Sequence, residues 1–245
     1  MLQTKDENIR EIVKQNNLEH IAIIMDGNRR WAKSKFLPSA AGHKKGVESL
    51  RTILKACSEF NVKYLTVYAF STENWKRQKE EVDFLMSLLA KTIIDEIPEF
   101  KKNDIRLRFI GDKKNLADDI KKIIKFGEEE TKNNKTLNLQ IAFNYGARQE
   151  LTNAVKTISQ KIKNGELSLD DITENIVEQN LYTADIPDPA LLIRTGGEKR
   201  ISNYLLWQVA YTEIYVTNTF WPEFDKDSLA EAILEFNNRQ RRFGK

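Results

Sequence analysis

The chain carries a single cysteine, Cys57, in 245 residues. One cysteine excludes a disulfide framework and a cysteine-built zinc site. Histidine is nearly as scarce: only His20 and His43 are present, which leaves little room for a His-rich metal centre. Ten glycines and five prolines are too few for a hinge-rich multidomain chain, and there is no Gly/Ser linker, low-complexity tract or repeat period. Long apolar runs are missing as well. The longest uncharged stretches, Ile201 to Thr212 among them, run to twelve residues, whereas a membrane-spanning helix needs roughly 20 mostly apolar ones. Met1 to Asn17 is mixed and charged with no apolar core, so no signal peptide is expected. These absences predict a cytoplasmic protein of one domain over 1–245, with a helical N-terminal extension over 1–17.

An excess of one charge is lacking too. Lys+Arg 39 against Asp+Glu 36 gives +3, so no nucleic-acid partner is expected, although a local basic site remains open. What is present is an ordinary globular composition, 40% hydrophobic, and a chain of this length buries a core without disulfide or metal staples.

Strand-like and helix-like segments alternate along the chain. Strands are expected over His20–Met25, Tyr64–Phe70, Ile105–Ile110, Leu137–Phe143, Ala190–Ile193 and Glu213–Val216. Helices are expected over Lys44–Phe60, around Val82–Ile93, and over Leu116–Lys132, Arg148–Asn164 and Leu229–Phe236, with a capping signal for another at Ser168. This alternation predicts an α/β domain with a mostly parallel central sheet of about six strands flanked by helices. Ligands of such folds bind outside the carboxyl ends of the strands, so the residues just after each strand carry the functional reading.

Asp26-Gly27-Asn28-Arg29-Arg30-Trp31 follows the first strand. Glycine permits close backbone approach, arginine forks match phosphate oxygens, and Asp26 suits a Mg²⁺ that bridges phosphates. A plain Asp-Gly turn reads the same way. Ser71-Thr72-Glu73-Asn74-Trp75-Lys76-Arg77 follows the second strand; it crowds hydroxyls, an amide and an arginine, or alternatively caps a helix while Trp75 fills the core. Arg194-Thr195-Gly196-Gly197-Glu198-Lys199-Arg200-Ile201-Ser202-Asn203 sets two arginines around a Gly-Gly turn, or is alternatively a plain polar loop. Three such strand ends together point to a site for more than one phosphate group. The P-loop and G-x-G-x-x-G fingerprints are absent.

The blocks His20 to Ala32, Ala69 to Trp75 and Leu192 to Asn203 closely resemble the signature motifs of the cis-prenyltransferases, the bacterial undecaprenyl diphosphate synthases in particular. Resemblance continues through Trp207 to Tyr215 and the terminal Arg241-Arg242-Phe243-Gly244. It implies a homodimer that adds isopentenyl diphosphate to an allylic diphosphate such as farnesyl diphosphate, with Mg²⁺ as cofactor, to make the long cis-polyprenyl carrier lipid precursor of cell-wall synthesis. It further implies catalytic roles for Asp26 and Asn74, and metal contacts for Asp26 and Glu213. The allylic side is assigned Gly27, Asn28, Arg29, Arg30, Trp31 and His43. Ser71, Thr72, Glu73, Trp75 and Arg77 are assigned to the reacting ends, and Arg194, Arg200, Ile201 and Ser202 to isopentenyl diphosphate. Ser39 stands where the family usually has arginine; either a phosphate contact is weakened, or Arg29, Lys33 or Lys35 supplies the charge. Val47, Ala69, Leu85, Leu88, Leu89, Leu137, Ile141 and Phe143 are candidates for an apolar channel. A lipid product implies at most a peripheral membrane contact. The competing class is a non-catalytic scaffold subunit, which would be expected to lose phosphate-site residues that are retained here.

Overall fold

A computed structural model describes residues 4–239; the terminal Arg241–Gly244 block lies outside them. Six strands form one sheet in the order β3-β4-β2-β1-β5-β6, and every neighbouring pair is parallel. The strands are β1 (His20–Ile24), β2 (Tyr64–Ser71), β3 (Ile105–Ile110), β4 (Leu137–Tyr145), β5 (Leu191–Arg194) and β6 (Glu213–Val216). The helices among the described residues are α1 (Lys5–Gln15), α2 (Asn28–Ser34), α3 (Ser39–Glu59), α4 (Lys79–Lys102), α5 (Asp118–Glu130), α6 (Ala147–Lys163), α7 (Glu174–Glu178) and α8 (Lys226–Asn237).

The fold follows from burial on both faces of a parallel sheet. Side chains alternate along a strand, and β1 is apolar at every position after His20. Ile21 and Ile23 enter the larger core, while Ala22 and Ile24 enter a smaller one that includes Tyr145, Leu192 and Tyr204. The larger core is covered in part by α3, α4, α5 and α8, through residues such as Ile53, Ile93, Ile124 and Ile233. The N-terminal extension joins this core: Thr4 and Glu7 make a capping box for α1, and Ile9, Ile12 and Val13 are buried.

Several boundaries differ from the sequence reading. Helix α3 begins at Ser39 rather than Lys44, because Pro38 is a compatible N-terminal residue and Gly42 and Gly46 let α3 lie against α2. A Cβ at Gly42 would stand 2.1 Å from the Asn28 carbonyl oxygen. The capping signal at Ser168 opens only a 3-10 turn over Leu169–Asp171, and the short α7 starts after Thr173.

The topology puts β1 between β2 and β5. The carboxyl ends of these three neighbouring strands carry the three polar motifs, and β2 is irregular there, with register shifts between Tyr68, Phe70 and Ser71. Bulges of this kind re-aim side chains beside functional sites.

Candidate functional site

Asp26 is the meeting point of the first and third motifs. Gly27, at φ +108°, turns the chain from β1 into α2 in a conformation that favours glycine, and a side chain there would also strike Phe220. Asp26 Oδ1 lies 3.1 Å from Arg30 Nη2, one helical turn onward, and Oδ2 accepts from Arg194 Nη2 at 2.9 Å. Burial alone would push the Asp26 carboxyl up; the Arg194 hydrogen bond and the charges of Arg30 and Arg194 outweigh it and hold the group below its ordinary value. It is therefore ionised at neutral pH.

Arg194 ends β5 almost fully buried. Its Nη1 donates to Ser202 Oγ at 2.8 Å and to the Arg200 carbonyl. Arg200 is more exposed and pairs with Glu198 at 2.5 Å. Ser202 and Asn203 both have positive φ, 50° and 61°, a costly conformation for non-glycine residues. Asn203 anchors the loop by donating to Glu73 Oε1 at 3.0 Å and accepting from the Arg148 amide at 2.9 Å. In the second motif, Asn74 Oδ1 accepts from the Ser71 amide at 3.2 Å, and Arg77 Nη1 donates to Glu81 at 3.0 Å.

These groups surround two adjoining polar cavities. One, of about 840 Å³, is lined by Gly27, Arg29, Arg30, Lys33 and Ser39, and the other, of about 590 Å³, by Ser71, Glu73, Asn74, Arg194, Arg200 and Ser202. Asp26, Asn28, His43 and Arg77 face both. Asn28 Oδ1, His43 Nε2 and Arg194 Nε are buried without a hydrogen-bond partner, so polar capacity is unspent at the shared wall. Burial first, and then the Arg77 charge, depress His43 below the ordinary imidazole value, while Glu81 pulls it back up. A third, apolar cavity of about 120 Å³ meets the others at Met25, Asn28 and His43. Val47, Ala69, Leu85, Leu88, Leu89, Ile141 and Phe143 line it; Leu137 does not. Leu137 opens β4 four residues before Ile141 and is packed into the core.

Five expected site residues lie outside the linings of the two polar cavities. The Trp31 indole donates to Glu223 at 3.0 Å, tying α2 to the turn at Trp221–Glu223. Trp75, 42% exposed rather than in the core, donates to Asn144 Oδ1 at 2.7 Å. Thr72 Oγ1 bonds Glu73, and Ile201 packs on the smaller core. Glu213 begins β6 in register with Leu191, whereas Arg194 is level with Val216. Three strand residues span roughly 10 Å, so one chain does not bring Glu213 to Asp26; it pairs with Arg239 at 2.7 Å instead. Lys35 turns to Glu223, 3.5 Å away, leaving Arg29 and Lys33 beside Ser39.

Sequence reasoning missed Glu81, and it placed Asn203 in the third motif without giving it a role. Glu81 stands within 4 Å of three site groups: Arg77 at 3.0 Å, His43 at 3.5 Å and Arg29 at 3.9 Å. Its i,i+4 spacing from Arg77 was the available signal.

A divalent cation fits this donor set in one way only. No group of three His, Cys, Asp or Glu side chains gathers among the described residues, so they build no cage of such ligands by themselves. A single ionised Asp26 beside phosphate-sized polar space suits Mg²⁺, which is commonly bound by one or two carboxylates plus substrate phosphates.

Comparison with known proteins agrees with the motifs. The family model described as "Putative undecaprenyl diphosphate synthase" matches residues 24–244. An isoprenyl transferase of Clostridium perfringens is 46% identical over 95% of this chain and 92% of its own. A ditrans,polycis-undecaprenyl-diphosphate synthase of Micrococcus luteus, named as specific for (2E,6E)-farnesyl diphosphate, is 46% identical over 96% of this chain and 97% of its own. The crystal structure of lavandulyl diphosphate synthase from Lavandula x intermedia, in complex with dimethylallyl diphosphate, superposes with a TM-score of 0.90 at 37% identity, covering 93% of this chain and 98% of that one. The chain belongs to the undecaprenyl diphosphate synthase family of prenyltransferases.

Proposed function

We propose that this enzyme condenses isopentenyl diphosphate onto farnesyl diphosphate, with Mg²⁺, and repeats the addition to give undecaprenyl diphosphate, the carrier-lipid precursor of cell-wall synthesis. The observation that carries the reading is one junction: two polar cavities share Asp26, and an apolar cavity meets both beside it at Met25, Asn28 and His43.

The allylic diphosphate is assigned to the cavity of Arg29, Arg30 and Ser39, with its hydrocarbon directed past Met25 into the apolar cavity. Isopentenyl diphosphate is assigned to the cavity of Arg194, Arg200 and Ser202. As the allylic C–O bond breaks, its electron pair leaves with the diphosphate. The Arg29, Arg30 and Arg77 guanidiniums meet the growing negative charge with donors already in place. The double bond of isopentenyl diphosphate supplies the electrons for the new C–C bond, and the resulting cation loses a proton. Asn74 uses its carbonyl oxygen on the Ser71 amide, so its NH₂ group is the part free to orient a diphosphate oxygen or water as proton acceptor. When bound, Mg²⁺ would be held by Asp26 and substrate phosphate and would supply charge neutralisation to the leaving group.

The family resemblance supports a homodimer, and edge strand β6, with exposed Ile214 and neighbouring Tyr211, is the surface we assign to it. Glu213, on the same strand, would then act at or near the subunit contact. No helix among the described residues is long and apolar enough to cross a membrane; we assign the enzyme to the cytoplasm, with product release by peripheral contact with the bilayer.

Incubation with farnesyl diphosphate, labelled isopentenyl diphosphate and Mg²⁺, followed by product sizing, tests the reading. A ladder ending in a long polyprenyl diphosphate is expected. No elongation by the purified chain, with or without metal, would refute it and favour the scaffold subunit.

A further inference from the structure

The apolar cavity is too small for the product assigned to it. A dry apolar cavity of about 150 Å³ holds a six-carbon ring, so about 120 Å³ holds little more than one five-carbon unit. A growing chain must therefore widen the seam it enters. That seam runs between α3 and α4. On its inner stretch it is walled by Val47 and Leu50 of α3 and by Leu85, Leu88, Leu89 and Thr92 of α4.

Farther along the same two helices a separate groove of about 470 Å³ opens; Leu54 of α3, Phe100 of α4 and Ile105 of β3 form its apolar wall, and the charged side chains of Lys55, Glu59 and Glu99 rim it. Residue numbers rise along both helices from the inner cavity to the groove. The inner stretch ends at Leu50 and Thr92; the groove begins at Arg51 and Glu96. Those two residues are joined across the seam. Arg51 Nε donates to Glu96 Oε1 at 2.7 Å, and Arg51 Nη2 contacts the same oxygen. Glu96 is 7% exposed, whereas the Arg51 side chain is half exposed. An ion pair thus stands between the apolar inner cavity and the apolar part of the outer groove.

We propose that the Arg51–Glu96 pair is a chain-length checkpoint that closes the α3–α4 seam and limits how far the prenyl tail extends. The inference rests on the elongating activity proposed above. An apolar tail offers no partner to either charge. Prying the pair apart leaves the buried Glu96 carboxylate without its counter-ion, which is strongly unfavourable. Addition therefore slows once the tail reaches the pair. With the pair replaced by apolar groups, the tail gains Leu54, Phe100 and Ile105 as further wall, and growth continues.

The test measures product size and the rate of the first condensation, the latter in a single turnover with limiting isopentenyl diphosphate. The variants are Arg51→Met, the double change Arg51→Met with Glu96→Leu, and the reversed pair Arg51→Glu with Glu96→Arg. The double change avoids an unpaired buried carboxylate, so it carries the test if Arg51→Met alone fails to fold. The expected result is a first condensation within about twofold of the parent, with the double variant's product distribution longer by at least one five-carbon unit and broader. The reversed pair should bring the distribution back toward the parent's. Parent-like or shorter products from a folded double variant that condenses normally would overturn the checkpoint. A parent enzyme that adds no unit at all would instead overturn the activity on which it rests.

Discussion

Replacing Glu81 by glutamine asks whether the arginines of the site are held by an internal counter-charge that substrate must displace. Glu81 reaches Arg77 at 3.0 Å, Arg29 at 3.9 Å and His43 Nε2 at 3.5 Å. All three of those groups line the cavity assigned to the allylic diphosphate. Two unit charges about 4 Å apart interact by about 4 kcal/mol at an effective dielectric near 20. Desolvation reduces a charged hydrogen bond to a net of about 1.5–3 kcal/mol. The glutamine amide retains a hydrogen bond to Arg77 and removes only the charge, so the competition relieved is at the lower end, about 1.4 kcal/mol, or tenfold in Kd. Calorimetric titration with inorganic pyrophosphate is expected to give about tenfold tighter binding for Glu81→Gln, with the difference shrinking at high salt. The His43 ring supplies a second readout. Burial and Arg77 depress its pKa while Glu81 opposes them, so the variant's imidazole should titrate at still lower pH by NMR. Weaker or unchanged pyrophosphate binding in a folded variant would refute the reasoning and make Glu81 an organiser of Arg77 rather than a competitor for it.

Asp26→Asn removes the charge shared by Arg30 and Arg194 and the proposed metal carboxylate; turnover should fall by at least about 10²-fold, the scale of losing one preorganised electrostatic group, with the circular dichroism spectrum unchanged. Asn74→Asp keeps the acceptor for the Ser71 amide but lacks the NH₂ group, so kcat should drop without a change in melting temperature; full turnover would dismiss any specific amide role. Ser39→Arg adds a fork at the rim of the larger polar cavity and should lower the allylic KM; an unchanged or higher KM counts against it. His20 is buried between the Pro187 carbonyl and the Thr66 hydroxyl, and desolvation lowers its pKa from 6.5 to about 4. With the folded value below the unfolded one, its contribution is fully present above pH 6.5 and is lost as pH falls toward 4. Lowering from 6.5 to about 4 corresponds to roughly 3 kcal/mol. Urea melts across that window should show the decline, and His20→Asn should flatten it.

The parallel sheet was legible because each strand is a short apolar or β-branched run and each helix keeps a stripe at helical spacing. Those are local properties. The three strand-end motifs were legible for the same reason. What they touch was not. Trp75 sits inside a polar motif and reads as a ligand contact or as core packing, and Trp31 is assigned to the allylic side by resemblance alone; their partners Asn144 and Glu223 are 69 and 192 residues away. Glu81 follows Glu80 in the first turn of α4, where acids also favour the helix N-terminus, so its packing against three cationic or titratable site groups left only a spacing clue. Glu213 shows the limit most clearly. Its strand was identified correctly, but whether a residue lies at the substrate end of a parallel strand depends on pairing register, and the register sets Glu213 beside Leu191 rather than Arg194. Residue type therefore located the three polar motifs, whereas three-dimensional pairing decided which carboxylate stands between them. Asp26 does, because the carboxyl end of β1 lies next to that of β5, bringing Arg194 across 168 residues to the same carboxylate that Arg30 reaches from one turn away.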